Sequence, residues 1–357
     1  WLYYVRGGGK TIKTAAKNLD KKNHSWDSNF YKTTEDALAY FNAGANGAAM
    51  RMLPIVLANL AHQERMVMEV FKNSIVTHGH PRAIVGSILY SLAVSYFLKV
   101  DVLPDYPNEI ITIIAKGLKS VASLINHLED IGLSAWLDRW NSTMSVGFSQ
   151  VFQKTIEDTL ELLRYTYKYI AANTNDTDVF KKLGALDKYT RGAGYISAVV
   201  ALFMATKYIY KEPIQAVYEC ANMLGSDTDT IGLMCGSMIG AYIGFEQIPM
   251  NLRRVQDSQY LLDCAEALFS HETATIKSPD SDSCLYIAHS SKRPIDLTTL
   301  SVGDEIRLPS LGVGKVLSVS EQDTRTTGKS VIILEVDFAI KQSCKLSKVI
   351  SKGKAKQ

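Results

Sequence analysis

Two periods of hydrophobic and polar positions follow one another along this chain. From about residue 34 to 270, apolar positions recur every three to four residues, as in helices with one buried face. That spacing predicts helices over 35–41, 50–60, 63–76, 82–98, 108–128, 151–171, 178–183, 194–210, 213–223, 231–245 and 249–269. Thr34 is placed to cap the first, and Pro213 stands where a helix tolerates proline, in its opening turn. A connector carrying Trp136 and Trp140 joins 108–128 to 151–171. Residues 1–32 are polar and read as a flexible loop. Their Gly7-Gly8-Gly9-Lys10-Thr11 run is not a phosphate loop, because the glycine needed at position 4 is Tyr4. After Pro294 the pattern alternates instead, over 305–308, 315–319 and 331–338, which predicts short strands. The expected fold is therefore mainly α: an all-α bundle followed by a small C-terminal β-barrel, SH3-like. The domains are expected at 1–275 for the bundle, 276–292 for a Ser/Thr/Asp-rich linker and 293–350 for the barrel. The lysine-rich end, from Lys345 onward, reads as solvated, with a basic tail at 351–357.

Composition narrows the function classes. The chain has 357 residues, 46% of them hydrophobic, and a net charge of +3, too small for the whole molecule to seek a polyanion. The charge is uneven. Residues 291–357 hold 12 Lys/Arg against 7 Asp/Glu, and the remainder holds 27 against 29. A protein or nucleic-acid contact through the basic barrel is thus expected from charge alone. The five cysteines form no C-x-x-C pair, and three fall in apolar helical patterns. They are expected to be reduced and buried, in a cytoplasmic protein. No uncharged run exceeds the 16 residues of Thr230 to Phe245, short of the roughly 20 that span a bilayer, so no membrane partner is expected. The chain opens at Trp1 without Met and reads as lacking an N-terminal stretch.

The chemistry concentrates in Gly225-Ser226-Asp227-Thr228-Asp229-Thr230-Ile231-Gly232. Two carboxylates and two hydroxyls within four residues are hard oxygen donors of the kind magnesium takes. Within a helix, residues two apart point about 200° apart. Asp227 and Asp229 can therefore converge only at a helix entrance, where a lone D-x-D also reads as a cap. Behind them Gly232, Gly236, Gly240 and Gly244 recur every fourth residue, which predicts another backbone packed close on that face. Earlier, Asn42-Ala43-Gly44-Ala45-Asn46-Gly47-Ala48-Ala49-Met50-Arg51 is a run of small residues entering an apolar helix. It reads either as a turn or as a loop offering backbone N–H groups to an anion. Thr77-His78-Gly79-His80-Pro81 has two histidines but no Cys or carboxylate at zinc-ligand spacing.

These motifs, in this order, resemble those of the ADP-ribosylglycohydrolases: A-N-G-A-A-M-R-x-x-P, then T-H-x-H-P-R-A, then Gly194-Tyr195-Ile196, then G-S-D-T-D-T-I. The resemblance covers about residues 1–270 and implies an all-α hydrolase. The implied activity is removal of ADP-ribose from a modified substrate across an N-glycosidic bond, arginine-linked in the first instance, with two Mg²⁺ ions or Mn²⁺ in their place. The implied partner is an ADP-ribosylated protein or ADP-ribose itself. Carried over residue by residue, the resemblance implies Asp227, Asp229 and Thr230 as metal ligands. It implies Gly44, Ala45, Asn46, Gly47 and Ala48 around the diphosphate and distal ribose, His78 near the phosphates, and Tyr195 beside the adenine. By itself, a tyrosine in an apolar helix is ordinarily a core residue. The family's early T/S-D-D cluster and its G-D-x-x-G segment have no match. Residues 1–40 contain Asp20, Asp27, Glu35 and Asp36 but no adjacent pair. No catalytic base is therefore assigned, and a non-catalytic ADP-ribose-binding or structural relative is the alternative.

Overall fold

The computed structural model describes residues 9–19, 26–27, 32–123, 128, 130–253, 255, 258–270, 296–308, 312–324, 326–339 and 342–351. Among them the helices are α1 (Lys10–Leu19), α2 (Thr34–Phe41), α3 (Leu53–Ala58), α4 (Gln63–Ile75), α5 (Pro81–Lys99), α6 (Pro107–Ser120), α7 (Ser134–Thr143), α8 (Phe148–Ala171), α9 (Asp176–Lys182), α10 (Gly194–Tyr208), α11 (Pro213–Asn222), α12 (Thr228–Ile243), α13 (Met250–Arg253) and α14 (Ser258–Ser270). Two compact units emerge. One comprises 1–253 with 265–272, the other 254–264 with 273–357.

The helical unit is built on α5 and α10. Both are apolar around most of their circumference, which is the pattern of a helix covered on all sides. By length and composition α5 would suit a membrane, but 83% of its apolar window is buried inside the protein, so it is a core helix. Its serines are satisfied within the helix: Ser87 Oγ donates to the Ala83 carbonyl at 2.9 Å and Ser91 Oγ to that of Ser87 at 2.8 Å. The two helices touch backbone to backbone. A Cβ on Gly86 would stand 2.2 Å from the Gly194 carbonyl carbon, and one on Gly194 would stand 2.7 Å from the Arg82 carbonyl oxygen. Only glycine fits at both positions.

The glycine stripe of α12 is different. Gly232 and Gly236 meet only side chains of α11, Cys220 and Val217, at 3.9 and 3.7 Å, and Gly240 and Gly244 meet nothing within 4 Å. The close backbone approach expected there occurs instead at α5–α10, because periodicity shows which face is small and not what lies opposite.

Several boundaries differ from expectation for local reasons. Lys10–Leu19 is a helix and not a loop, since Ile12, Ala15 and Leu19 share one face and Ala15 is buried. Thr33, not Thr34, caps α2, accepting from the Asp36 N–H at 3.0 Å. The expected helix over 50–60 splits into a 3₁₀ turn, Ala49–Arg51, and short α3, because Pro54 fits only a helix's first turn. The tryptophan connector is itself helical. Trp136 and Trp140 are buried among Phe41, Phe71 and Phe148, and the Trp136 indole donates to the Tyr40 hydroxyl at 2.9 Å. The run 249–269 divides into α13 and α14.

The second unit is an antiparallel meander of β1 (Glu305–Leu308), β2 (Gly312–Asp323), β3 (Lys329–Phe338) and β4 (Gln342–Ser351), paired in that order. Its described strands form a curled four-stranded sheet whose ladder runs β1-β2-β3-β4. Ile306, Val316, Leu334, Val336 and Phe338 make its core. Gly314 lets the Phe338 ring lie across β2, since a Cβ there would stand 2.6 Å from the ring. The stretch from Lys345, read as a solvated tail, is the body of β4. Cys344 and Leu346 pack against the core while Lys345 stays outside, a period of two. The linker expected at 276–292, Cys284 within it, and 352–357 of the basic tail lie outside the described residues. Cys220, Cys235, Cys264 and Cys344 are free thiols, the first two buried.

The two kinds of glycine separate in a stability measurement. Gly86→Ala should cost about 2 kcal/mol or more through overpacking, whereas Gly240→Ala should add up to about 1 kcal/mol of helix propensity. Urea denaturation followed by far-UV circular dichroism reads both. Equal effects would contradict the packing described.

Candidate active site

The α5–α10 crossing brings the small-residue loop against the segment that enters α10. The Asn46 N–H donates to the Gly192 carbonyl at 2.9 Å, the Gly194 N–H donates to the Gly44 carbonyl at 3.1 Å, and Ala45 bridges Ala193. One N–H of the loop is thus spent on the neighbouring chain. The helix that follows is a short 3₁₀ turn, so a strong helix dipole does not stand behind the loop. What the loop contributes is the Asn46 side chain. Buried, it donates through Nδ2 to Ser197 Oγ at 2.8 Å and to Asp227 Oδ2 at 2.7 Å.

Asp227 is the N-cap residue of α12 but makes no side-chain capping bond, so its carboxylate is committed to Asn46 and to the acidic turn. Burial and the adjacent Asp229 carboxyl push Asp227 upward from the ordinary carboxylate range, while the hydrogen bond from Asp227 holds Asp229 down. The two carboxyls thus lie close enough for each to shift the titration of the other. Thr230 is buried; its hydroxyl donates to Met50 Sδ at 3.7 Å and also faces Asp227. Asp229 Oδ1 accepts from the Thr230 N–H at 2.9 Å. Asp227, Asp229 and Thr230 thus form an oxygen-only donor set, of the sort that fits a hard divalent cation. Among the described residues no three His, Cys, Asp or Glu side chains gather.

A cleft of about 720 Å³ lies beside this turn. Its walls include Gly44 and Ala45 of the loop, Gly192 and Ala193 before α10, and Gly225, Ser226 and Asp227 of the acidic turn. Three cations also line it, Arg82, Lys188 and Arg191, together with exposed Tyr189. The loop carrying the last three is folded on itself. Gly184 takes φ of +83°, Thr190 Oγ1 donates to its carbonyl at 2.7 Å, and Asp187 Oδ1 accepts from the Tyr189 N–H at 2.8 Å. The Lys188 ammonium sits 4.6 Å from the Tyr189 ring centre, and Arg191 donates to the Gly225 carbonyl at 3.1 Å.

His78 lies behind the loop and not in the cleft wall. A Cβ on Gly47 would stand 3.2 Å from its ring, and Nδ1 is 2.7 Å from Thr77 Oγ1. Burial, then the Arg51 charge, lowers it to about 3. Arg51 clamps the same loop, donating to the Gly47 carbonyl at 3.1 Å and to Asn73 and Thr77 at 2.7 Å. His80 caps α5, its Nδ1 accepting from the Arg82 N–H at 3.0 Å, and burial lowers it to about 4. Tyr195 is the second residue of α10. Its phenol is pushed up by burial and eased down by Arg82, which places the guanidinium near it. The structure therefore joins Gly44, Ala45, Asn46, Asp227, Asp229 and Thr230, sets Gly47, Ala48 and His78 as backing, and adds Arg82, Lys188 and Arg191. Of the additions, only Arg82 falls inside a motif singled out from sequence.

The sequence model of the ADP-ribosylglycohydrolase family matches residues 1–277, and the chain belongs to that family. It is also similar to a particular protein, the ADP-ribosylhydrolase ARH3 of Xenopus tropicalis, at 26% identity over 223 residues, 58% of this chain and 54% of the relative. The chain thus spans about half the length of the curated relative it matches.

The two histidines give a pH dependence of stability. Each ring is neutral when folded and ordinary when unfolded, so between its folded and unfolded values the unfolded chain binds the extra proton. Stability should be fully present above about pH 6.5 and fall on acidification, by about 1.4 kcal/mol per pH unit for each histidine. Denaturation midpoints at pH 7, 6 and 5 should show the slope roughly halved in His78→Gln.

Proposed function

We propose that this chain hydrolyses the bond between ADP-ribose and a modified substrate, an arginine-linked N-glycosidic bond in the first instance, with Mg²⁺ held at the acidic turn. The observation that carries this reading is the Asn46–Asp227 hydrogen bond of 2.7 Å, which ties the loop beside the basic cleft to the acidic corner. Such a site offers cations for a diphosphate and carboxylates for a ribose. Membership of the family and the printed name of the Xenopus relative support it.

Cleavage of such a bond passes through a state with positive charge on the ribose ring. Asp227 and Asp229, with Thr230, would hold the cation. A bound divalent ion would orient the ribose hydroxyls and acidify water. Asn46 holds Asp227 in place, and the cleft walls hold the remote half of the nucleotide, so binding energy far from the bond positions the reacting carbon. No residue described here is assigned as general base.

Release of ADP-ribose from an arginine-modified protein, measured with Mg²⁺, should fall at least 100-fold in Asp229→Ala and on chelation. Because Asp227→Asn keeps shape and removes charge, it should lose activity while ADP-ribose still binds. Binding without release by the natural protein would favour the non-catalytic reading, and release indifferent to both chelation and Asp229→Ala would defeat the metal-held corner.

A further inference from the structure

We propose that Arg82 anchors the diphosphate of the nucleotide in this cleft, and that Gly44 lacks a side chain to leave that arginine its place. The inference rests on reading the cleft as a nucleotide site. Arg82 is the second residue of α5, so its main chain is fixed at the start of a covered 19-residue helix, with its N–H bonded to His80. Its Nε is buried and has no hydrogen-bond partner. Among the described residues no carboxylate forms an ion pair with its guanidinium. A buried cationic donor left without an acceptor is costly; the same residue also lines the open cleft, where the rest of its guanidinium can meet a ligand.

The other two cations of the cleft are engaged. Lys188 lies over Tyr189 and Arg191 is bonded to the Gly225 carbonyl. Arg82 alone of the three has an unpaired buried donor. A guanidinium is planar and meets two oxygens of a phosphate at once, which a lysine does not.

Gly44 explains how the arginine is accommodated. A Cβ there would stand 2.9 Å from Arg82 Nε and 3.1 Å from its Cβ. The glycine does not need a special backbone conformation, since its φ lies outside the left-handed region. Its requirement is steric: any side chain would push the arginine stem aside. Gly44 and Arg82 therefore act as one device built from two motifs.

The test is calorimetric binding of ADP, ADP-ribose and adenosine to the full chain in EDTA, with folding checked by circular dichroism. Arg82→Gln should weaken ADP and ADP-ribose about 10- to 100-fold, the loss of a charge-assisted hydrogen-bonded pair, and leave adenosine unchanged. Arg82→Lys should recover only part of the loss. Gly44→Ala should reproduce the defect, and the double variant should be no worse than either single one. Equal losses for ADP and adenosine, or none, would overturn the proposal. If the natural chain binds ADP through Arg82 yet releases no ADP-ribose from modified protein, the hydrolase reading fails and the anchor stands. If release proceeds and Arg82→Gln leaves KM unchanged, the anchor fails and the hydrolase reading stands.

Discussion

The site depends on one contact, where the main chains of α5 and α10 cross with no side chain between them. Gly86 and Gly194 permit it, and any Cβ would force the helices apart. Through that crossing the start of α10 lies over the first turn of α5. Arg82 and the Gly192–Gly194 segment are thereby held together, and the loop at 44–46 is hydrogen-bonded along that segment. Neither helix has an amphipathic stripe to fix its rotation. Close backbone contact supplies what a stripe supplies elsewhere, a single preferred register.

Charge is then distributed by element. The acidic corner is carried by the entrance of α12, which packs on α5, α10 and α11. The cations come from the first turn of α5 and from the tightly wound loop before α10. Asn46 lies between them as a neutral link, donating from one amide nitrogen to Ser197 of α10 and to Asp227. A charged residue in its place would alter the balance of the acidic corner; an amide holds the geometry without adding to it. On the underside of the loop the Arg51 cation clamps the Gly47 carbonyl, and His78 beside it stays uncharged under its burial.

The fold was legible wherever periodicity was strong. The long helices, the change to alternating strands and the acidic entrance of α12 were all apparent from spacing. What escaped did so for physical reasons. Trp136 and Trp140 sit among polar residues, and their burial is decided by the aromatic rings of Phe41, Phe71 and Phe148 from other elements. Lys345 and its neighbours look like a solvated end because charge masks the alternation of Cys344 and Leu346. The α12 glycines suggested a close approach that Gly86, a single glycine in an apolar helix, in fact makes. In the site, Asp227 and Asp229 could be named from residue type and Asn46 with its loop from the family resemblance, whereas Lys188 and Arg191 read as ordinary surface charge until the chain folds them beside the acidic turn.

The Asn46–Asp227 link joins positions 181 residues apart in the chain. No nascent helix or hairpin can contain such a contact, and the entropy of closing so large a loop must be met before it forms. The cleft therefore has no local precursor in the chain. Helices α4 to α8 can collapse on neighbours close in sequence, but the pocket exists only once α10 and α12 have docked on α5.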